Sequence, residues 1–375
     1  MDDLRKRTWA EISLGNIRHN YNAIRATLPE GCRFLGVVKA DAYGHGAVAV
    51  SRLLQDAGAD YLAVAGLDEA MELRRSGIYL PILILGHTPS EFTETLINND
   101  ITQAVTCLAK AEEYSRECVR MGRSLRVHIK VDTGMSRLGF LCAGEHFDDG
   151  VGNIHYACSL PGLESEGIFT HFAVSDEPGE ENERYTREQF ALFMRVIDAL
   201  GERGVHFAIR HCANSGAVLH YPEMLLDMVR PGLLLYGYGD EGQLGLRPCM
   251  SLKTRITTIK HYESGTSISY GRHFVTERRT RMAVLGIGYA DGLPRLCSNA
   301  CSFSIAGQTA PQRGNICMDM CMADVTDIPA AAVDGEVEIF GEKSPIEPLC
   351  RAAQTIPYEI LCAVSKRVPR VYTAR

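Results

Sequence analysis

Apolar and polar positions alternate along this chain in two textures, with the change near residue 240. Thr8-Trp9-Ala10-Glu11-Ile12 reads as a strand. Leu14 to Leu28 follows with Ile17, Tyr21, Ile24 and Leu28 three or four apart, the spacing of a helix with one buried face. Short β-rich runs then recur at Phe34–Val38, Tyr61–Ala65, Ile82–Leu85, Gln103–Thr106, Val127–Val131, Gly167–Phe172, Phe207–Cys212 and Val229–Tyr236. Helical patterns separate most of them, among them Ala47–Ala57, Leu67–Ser76, Leu108–Met121 and Arg187–Arg203. Eight strands with helical crossovers in about 230 residues predict a parallel (β/α)8 barrel of the TIM type. An open doubly wound sheet would want a glycine-rich phosphate turn after its first strand, and Lys39-Ala40-Asp41 stands there instead. The one Gly-x-Gly-x-x-Gly, Gly237 to Gly242, follows a strand but opens no helix, so the dinucleotide reading fails.

Beyond residue 240 the segments Leu252–Ile259, Arg281–Ile287, Cys301–Ala306, Cys317–Val325 and Glu336–Phe340 alternate between Gly, Pro and Asp turns. With one late helix expected at Pro348–Thr355, this predicts a mostly antiparallel β domain over 241–375. The barrel takes 1–240, with the first strand, about 8–12, free to join the β domain.

Composition narrows the function classes. The 375 residues are 46% hydrophobic and 23% charged, with a net charge of −7, which is no footprint for nucleic acid or an anionic membrane. No apolar run nears the roughly 18–20 residues of a spanning helix, and MDDLRKRTWAEI lacks a signal-peptide core, so the expected location is cytoplasmic. The thirteen cysteines are scattered without Cys-x-x-Cys or ligand-spaced histidines, so a metal or disulfide framework is not expected.

In a (β/α)8 barrel the chemistry sits at the C-terminal ends of the strands. Lys39 and Tyr43 fall there after the first strand, and Lys130, Asp132 and Arg137 after the fifth. His171 follows the sixth, His211 to Ser215 the seventh, and Arg230 and Gly232 lie in the eighth. A strand-end lysine is a point charge for an anion or a nucleophile for a carbonyl. Arg230 inside an apolar run is a guanidinium that must be paired. Asn214-Ser215-Gly216 and Gly232-Leu233 supply a hydroxyl and backbone N–H groups for a phosphate. Together these suit an aromatic aldehyde with a phosphate tail, held on a lysine with a charged partner at its ring nitrogen, as pyridoxal 5'-phosphate (PLP) is.

The chain resembles the alanine racemases, PLP enzymes built from a barrel and a β domain. The likeness is carried by Val37–Gly46, Lys130–Phe140, Thr170–Phe172, His211–Ala217, Val229–Gly237, Ser269–Gly271, Gly288–Arg295, Ile316–Asp319, Tyr358-Glu359 and Arg367–Arg370. The resemblance implies that Lys39 binds the cofactor covalently and acts as one of two bases. Tyr270 would be the other base, delivered from the second subunit of a homodimer. It assigns Arg230 to the pyridine nitrogen, and Tyr43, Ser215, Gly232, Leu233 and Tyr358 to the phosphate. Arg137 would bond the ring phenolate oxygen and contact substrate, and Met318 and Asp319 would contact the substrate carboxylate from the partner chain. His171 would bond Arg230 near the catalytic tyrosine, and Lys130 would be a site of carbamylation. The reaction implied is interconversion of L- and D-alanine by two opposed bases, supplying D-alanine for peptidoglycan.

Two-base racemisation explains the residue types. An arginine keeps its proton, so Arg230 leaves the pyridine nitrogen unprotonated and weakens the electron sink. Tyrosine, with a reference pKa of about 10, is a poor base without nearby positive charge, for which the Arg230–His171 pair is the candidate. Tyr358 stands where serine-accepting relatives tend to carry asparagine, which favours alanine over serine. Asn315, Pro357 and Lys366 depart from the usual family residues, and place differences in subunit contacts and substrate access. A serine or broad-specificity racemase is the first rival. An amino-acid decarboxylase, or a non-catalytic PLP-binding protein with a barrel alone, fits the Ser269-Tyr270-Gly271 context and the β domain less well.

Overall fold

The computed structural model describes residues 5–240 and 242–374; Glu241, within the glycine motif, lies outside them. Eight parallel strands form the barrel path of the first sheet, with the two-residue Phe140–Leu141 beside the fifth: Arg33–Val37, Tyr61–Val64, Ile82–Ile84, Ile101–Val105, Leu125–Asp132, Leu163–Phe169, Ile209–His211 and Met228–Val229. Each ladders to the next, except across the seam between the last two, and the last ladders back to the first. At the seam, the Asp227 amide donates to the Arg210 carbonyl (3.1 Å) and the Arg230 amide to the Ala213 carbonyl (2.9 Å). The Asp227 carboxylate also accepts from the Arg210 amide (2.7 Å). The barrel is thus nearly closed. Tyr61–Val64, Ile82–Ile84 and Ile101–Val105 are buried at every position, as strands covered on both faces require.

The apolar run Val229–Tyr236, read as one strand, is two elements. The strand is Met228–Val229, and Leu233–Tyr236 forms a 3-10 turn. Pro231 cannot donate to a ladder, and Gly232 (φ −102°, ψ −88°) turns the chain. All four residues of the 3-10 turn are nonetheless buried, so hydrophobicity alone does not separate the two states.

Thr8–Ser13 is not a barrel strand. It lies between Met250–Tyr262, to which it is antiparallel, and Arg370–Thr373, to which it is parallel. The same sheet holds Gln308–Pro311, Ser302–Ile305 and Glu336–Phe340, and Thr280–Leu285 with Cys321–Asp324 branches from Met250–Tyr262. Apart from Thr8–Ser13 with Arg370–Thr373, these pairings are antiparallel. A second late helix, Pro357–Ala363, follows Glu347–Ala353. Its proline at the first turn is a start signal, but seven residues are too few for a periodicity to show.

Candidate active site

A cavity of about 570 Å³ opens at the C-terminal ends of the barrel strands. Lys39, Tyr43, Lys130, Arg137, His171, Ser215, Arg230 and Gly232 line it, together with Tyr358 from the late helix. Of the residues assigned to the cofactor, only Leu233 is not among the lining side chains; it is buried and opens the 3-10 turn behind Gly232.

Lys39 is set by an unusual turn. Ala40, Asp41, Ala42 and Tyr43 all adopt the left-handed conformation, with φ of 53°, 54°, 53° and 54°. Each such L-residue costs about 1–2 kcal/mol, so the turn exists only because its surroundings hold it. The Ala40 amide donates to Glu69 Oε1 (2.7 Å), and the Ala47 amide to Asp41 Oδ1 (2.7 Å). The Arg370 guanidinium donates to the Gly44 carbonyl (2.9 Å), and to those of Val364, Ser365 and Val368 at 2.7 Å each. The turn carrying the lysine is thereby tied to the segment that follows the helix carrying Tyr358. Glu69 is not marked in the sequence, and Arg370 is marked only as the end of the Arg367–Arg370 motif, because nothing local announces a contact some thirty or three hundred residues away.

Opposite Lys39, Ser215 begins a short helix whose N-cap Asn214 accepts from the Ala217 amide (3.1 Å). The Ser215 hydroxyl oxygen accepts from the Gly232 amide (3.0 Å). A Cβ on Gly232 would lie 2.7 Å from the Tyr43 hydroxyl, so the glycine is what lets the backbone and Tyr43 converge. The rings of Tyr43 and Tyr358 lie 5.7 Å apart.

Arg230 is 4% exposed. It donates to the Thr170 carbonyl (2.7 Å), the Cys212 carbonyl (3.1 Å) and His211 Nδ1 (2.8 Å), with His171 Nδ1 at 3.3 Å. Burial and then Arg230 push His171 well below the usual histidine range, so it is neutral. Positive charge on this side of the cavity therefore comes from Arg230 and not from the imidazole.

Burial, with Arg137 as the second cause, lowers Lys39 from the ordinary lysine value. The same two causes push Lys130 down to about 8. The Lys130 ammonium lies 5.4 Å over the Phe169 ring. Asp132 offsets the lowering of Lys130 only in part, through its charge; its Oδ1 accepts from the Gly134 and Ser136 amides, both at 3.0 Å.

Three predicted residues are not in this cavity. Tyr270 is 73% exposed and Met318 53%. Tyr270 lines a separate hollow of about 350 Å³ on the β unit with Ser269 and Cys317. Asp319 bonds Arg367 (2.8 Å), which also holds the buried Asp291. One chain therefore gathers the lysine half of the set and presents the tyrosine half outward. Asn315, one of the residues that depart from the family pattern, donates from Nδ2 to the Tyr270 carbonyl (2.7 Å).

A lysine and an arginine facing a hydroxyl-and-amide cradle at the mouth of a (β/α)8 barrel, with an antiparallel β unit attached, define an enzyme of the barrel-plus-β class. The model of the alanine racemase N-terminal domain matches residues 12–240, and that of the C-terminal domain matches 249–372. The chain belongs to the alanine racemase family. The alanine racemase of Desulforamulus reducens is 45% identical over 97% of this chain and 98% of its own. Alanine racemase 2 of Caldanaerobacter subterraneus is 42% identical over 100% and 96%. The solved alanine racemase of Clostridium difficile 630 superposes with a TM-score of 0.93 at 41% identity, covering 99% and 97% of the two chains.

Proposed function

We propose that this chain interconverts L- and D-alanine with PLP held at the barrel mouth, as a homodimer in which each active site draws on both chains. The observation that carries the reading is the single cavity shared by Lys39, Arg230 and the Ser215–Gly232 cradle. Those residues fit the cofactor. The cradle that a Cβ would fill suits a phosphate, Arg230 is a fixed cation for the ring nitrogen, and Lys39 is an amine within the same walls. When bound, PLP delocalises the electron pair left on Cα.

The chain's own residues do the rest. A lysine lowered by burial and Arg137 has a larger neutral fraction, which suits an amine that both binds a carbonyl and takes a proton. Tyr43, Ser215, Gly232, Leu233 and Tyr358 hold the phosphate end, and Arg137 reaches the ring oxygen and substrate. Tyr270 of the partner subunit serves the opposite face of Cα, and the partner's Met318 and the partner's Asp319 meet the substrate carboxylate. The outward exposure of Tyr270 and Met318 supports this division. Lys130 carries a carbamate that orients Arg137. An amine pushed down to about 8, with no carboxylate hydrogen-bonded to it among the described residues, supports that assignment. No helix among the described residues is long and apolar enough to cross a membrane; we place the enzyme in the cytoplasm, supplying D-alanine for peptidoglycan.

The test is direct. The purified holoenzyme should take either enantiomer of alanine to a racemic mixture, with kcat/KM for alanine above that for serine, and borohydride should fix the cofactor on Lys39. Absence of D-alanine from a PLP-loaded preparation would overturn the reading.

A further inference from the structure

Arg230 is a buried cation, and among the described residues no carboxylate bonds it. Its partners are two carbonyls and two imidazole nitrogens. A buried charge without compensation is expensive, so the negative charge has to be sought further off. It lies at the end of a line of hydrogen bonds running down the barrel interior. Arg230 Nη1 is 2.8 Å from His211 Nδ1, and His211 Nε2 is 2.9 Å from His128 Nδ1. His128 Nε2 is 3.2 Å from Glu166 Oε2, which also accepts from the Tyr61 hydroxyl at 2.6 Å.

The direction of this line is fixed at its upper end. A guanidinium has donors and no acceptor, so His211 Nδ1 must be the acceptor and carry no proton. Neutral His211 then has its proton on Nε2 and donates to His128 Nδ1. By the same logic His128 has its proton on Nε2 and donates to Glu166. Burial lowers both histidines, which keeps each at one proton. Glu166 is held down at about 2, first by the hydrogen bond from His128, so it is the anion of the set. Arg126 is the other charge facing it.

The fold has made room for this line. A Cβ on Gly167 would lie 2.7–2.8 Å from three atoms of the His128 ring, so a side chain there would expel the imidazole. Phe169 stacks on His211 at 4.8 Å with 9° between planes, which fixes the second ring. Both histidines are fully buried.

We propose that Glu166 is a positioning residue for the reaction: through His128 and His211, each held in a single tautomer, its charge keeps Arg230 oriented toward the cofactor's ring nitrogen. The inference rests on the reading of Arg230 given above. No proton needs to move along the line; its effect is polarisation, as in a carboxylate–histidine pair behind a catalytic group.

Two measurements on the holoenzyme test it. The first does not depend on activity. Nitrogen-15 NMR of the imidazoles should find His211 and His128 neutral with the proton on Nε2 in the wild type, and Glu166→Gln, which removes the anion at the far end, should shift the Nε2–H signals of His128 and His211 while both tautomers, set from the Arg230 end, are kept. A charged or Nδ1-protonated His211 in the wild type overturns the proposal, even if the protein proves not to racemise alanine. The second is kinetic. Glu166→Gln should lower kcat about tenfold or more while leaving KM within about twofold, and the same change made on Arg230→Lys should cost less than about twofold further. An equal cost in both backgrounds would mean that Glu166 does not act through Arg230. Glu166→Gln with wild-type kcat would mean that it does not act at all.

Discussion

The Asn315 side chain donates a 2.7 Å hydrogen bond to the backbone oxygen of Tyr270. Asn315 is itself 8% exposed, and its carbonyl accepts from Ser269 (2.7 Å), so the Ser-Tyr-Gly turn is clamped from two sides. Ser269 (φ 65°) and Gly271 (φ 72°) bracket the tyrosine in left-handed backbone, a conformation that needs such support. Asn315→Ala should therefore loosen Tyr270 without touching the PLP cavity. The expected outcome is a fall in kcat of about three- to tenfold with unchanged PLP affinity, because a positioning contact is lost and no reacting group is removed. Weakened PLP binding in this variant would contradict the separation of the two halves.

If Lys39 and Tyr270 of each site come from different chains, two inactive variants should complement. In mixed dimers of Lys39→Ala and Tyr270→Ala chains, one of the two sites is intact. Random pairing of equal amounts should restore about a quarter of wild-type activity. Purified mixed dimers with no activity would show that the sites are not shared.

Gly232 tests the cradle. At φ −102° and ψ −88° its backbone lies outside the usual α and β regions, so Gly232→Ala adds backbone strain to the crowding at the cradle. The added methyl meets the Tyr43 hydroxyl at 2.7 Å and the mouth of the cradle. Its PLP dissociation constant, read by titration of the apoenzyme, should rise by about tenfold or more, a cost of roughly 1.4 kcal/mol.

Lys130 gives a pH signature. Its amine stands at about 8 in the folded protein against the ordinary 10.5. Between those values the unfolded chain binds a proton that the folded chain does not, so stability rises as pH increases across the window. Below pH 8 both states are protonated and the full penalty, about 3 kcal/mol at most, is present. In CO₂-free buffer, the urea-unfolding advantage of Lys130→Met over the wild type should be largest below pH 8 and shrink toward pH 10. With ¹³C-labelled bicarbonate, the wild type should show a carbamate carbon signal that Lys130→Met lacks. A pH-independent difference between the two proteins would refute the buried-amine account.

Arg370 joins the Lys39 turn to the segment after the C-terminal helix through four carbonyls. Arg370→Ala leaves those acceptors unserved and should destabilise the protein by about 2–4 kcal/mol. Lysine cannot reproduce the planar fork, so Arg370→Lys should recover less than half. Thermal unfolding measures both. A loss under 1 kcal/mol would mean that water replaces the guanidinium.

What the sequence by itself determined is the set of local preferences. Runs of buried strand separated by helical periods fix a parallel barrel, because only strands covered on both faces read so continuously apolar. Leu108–Met121 and Ala47–Ala57 form over the ranges their periodicity predicts. Lys39, Arg230, Ser215 and Gly232 were legible as a group because a barrel brings its strand ends to one face whatever their distance in the chain. Tertiary structure decided the rest. Thr8–Ser13 lies in the C-terminal sheet because pairing partners are chosen by register and geometry, which alternation does not encode. The left-handed turn at Ala40–Tyr43 contradicts the local propensities of alanine, and exists because Glu69 and Arg370 hold it from outside. The line from Arg230 to Glu166 joins three strands and the residue just past a fourth, and no spacing in the sequence marks it. A hydrogen bond between distant residues depends on where packing puts them, and that is a property of the folded chain alone.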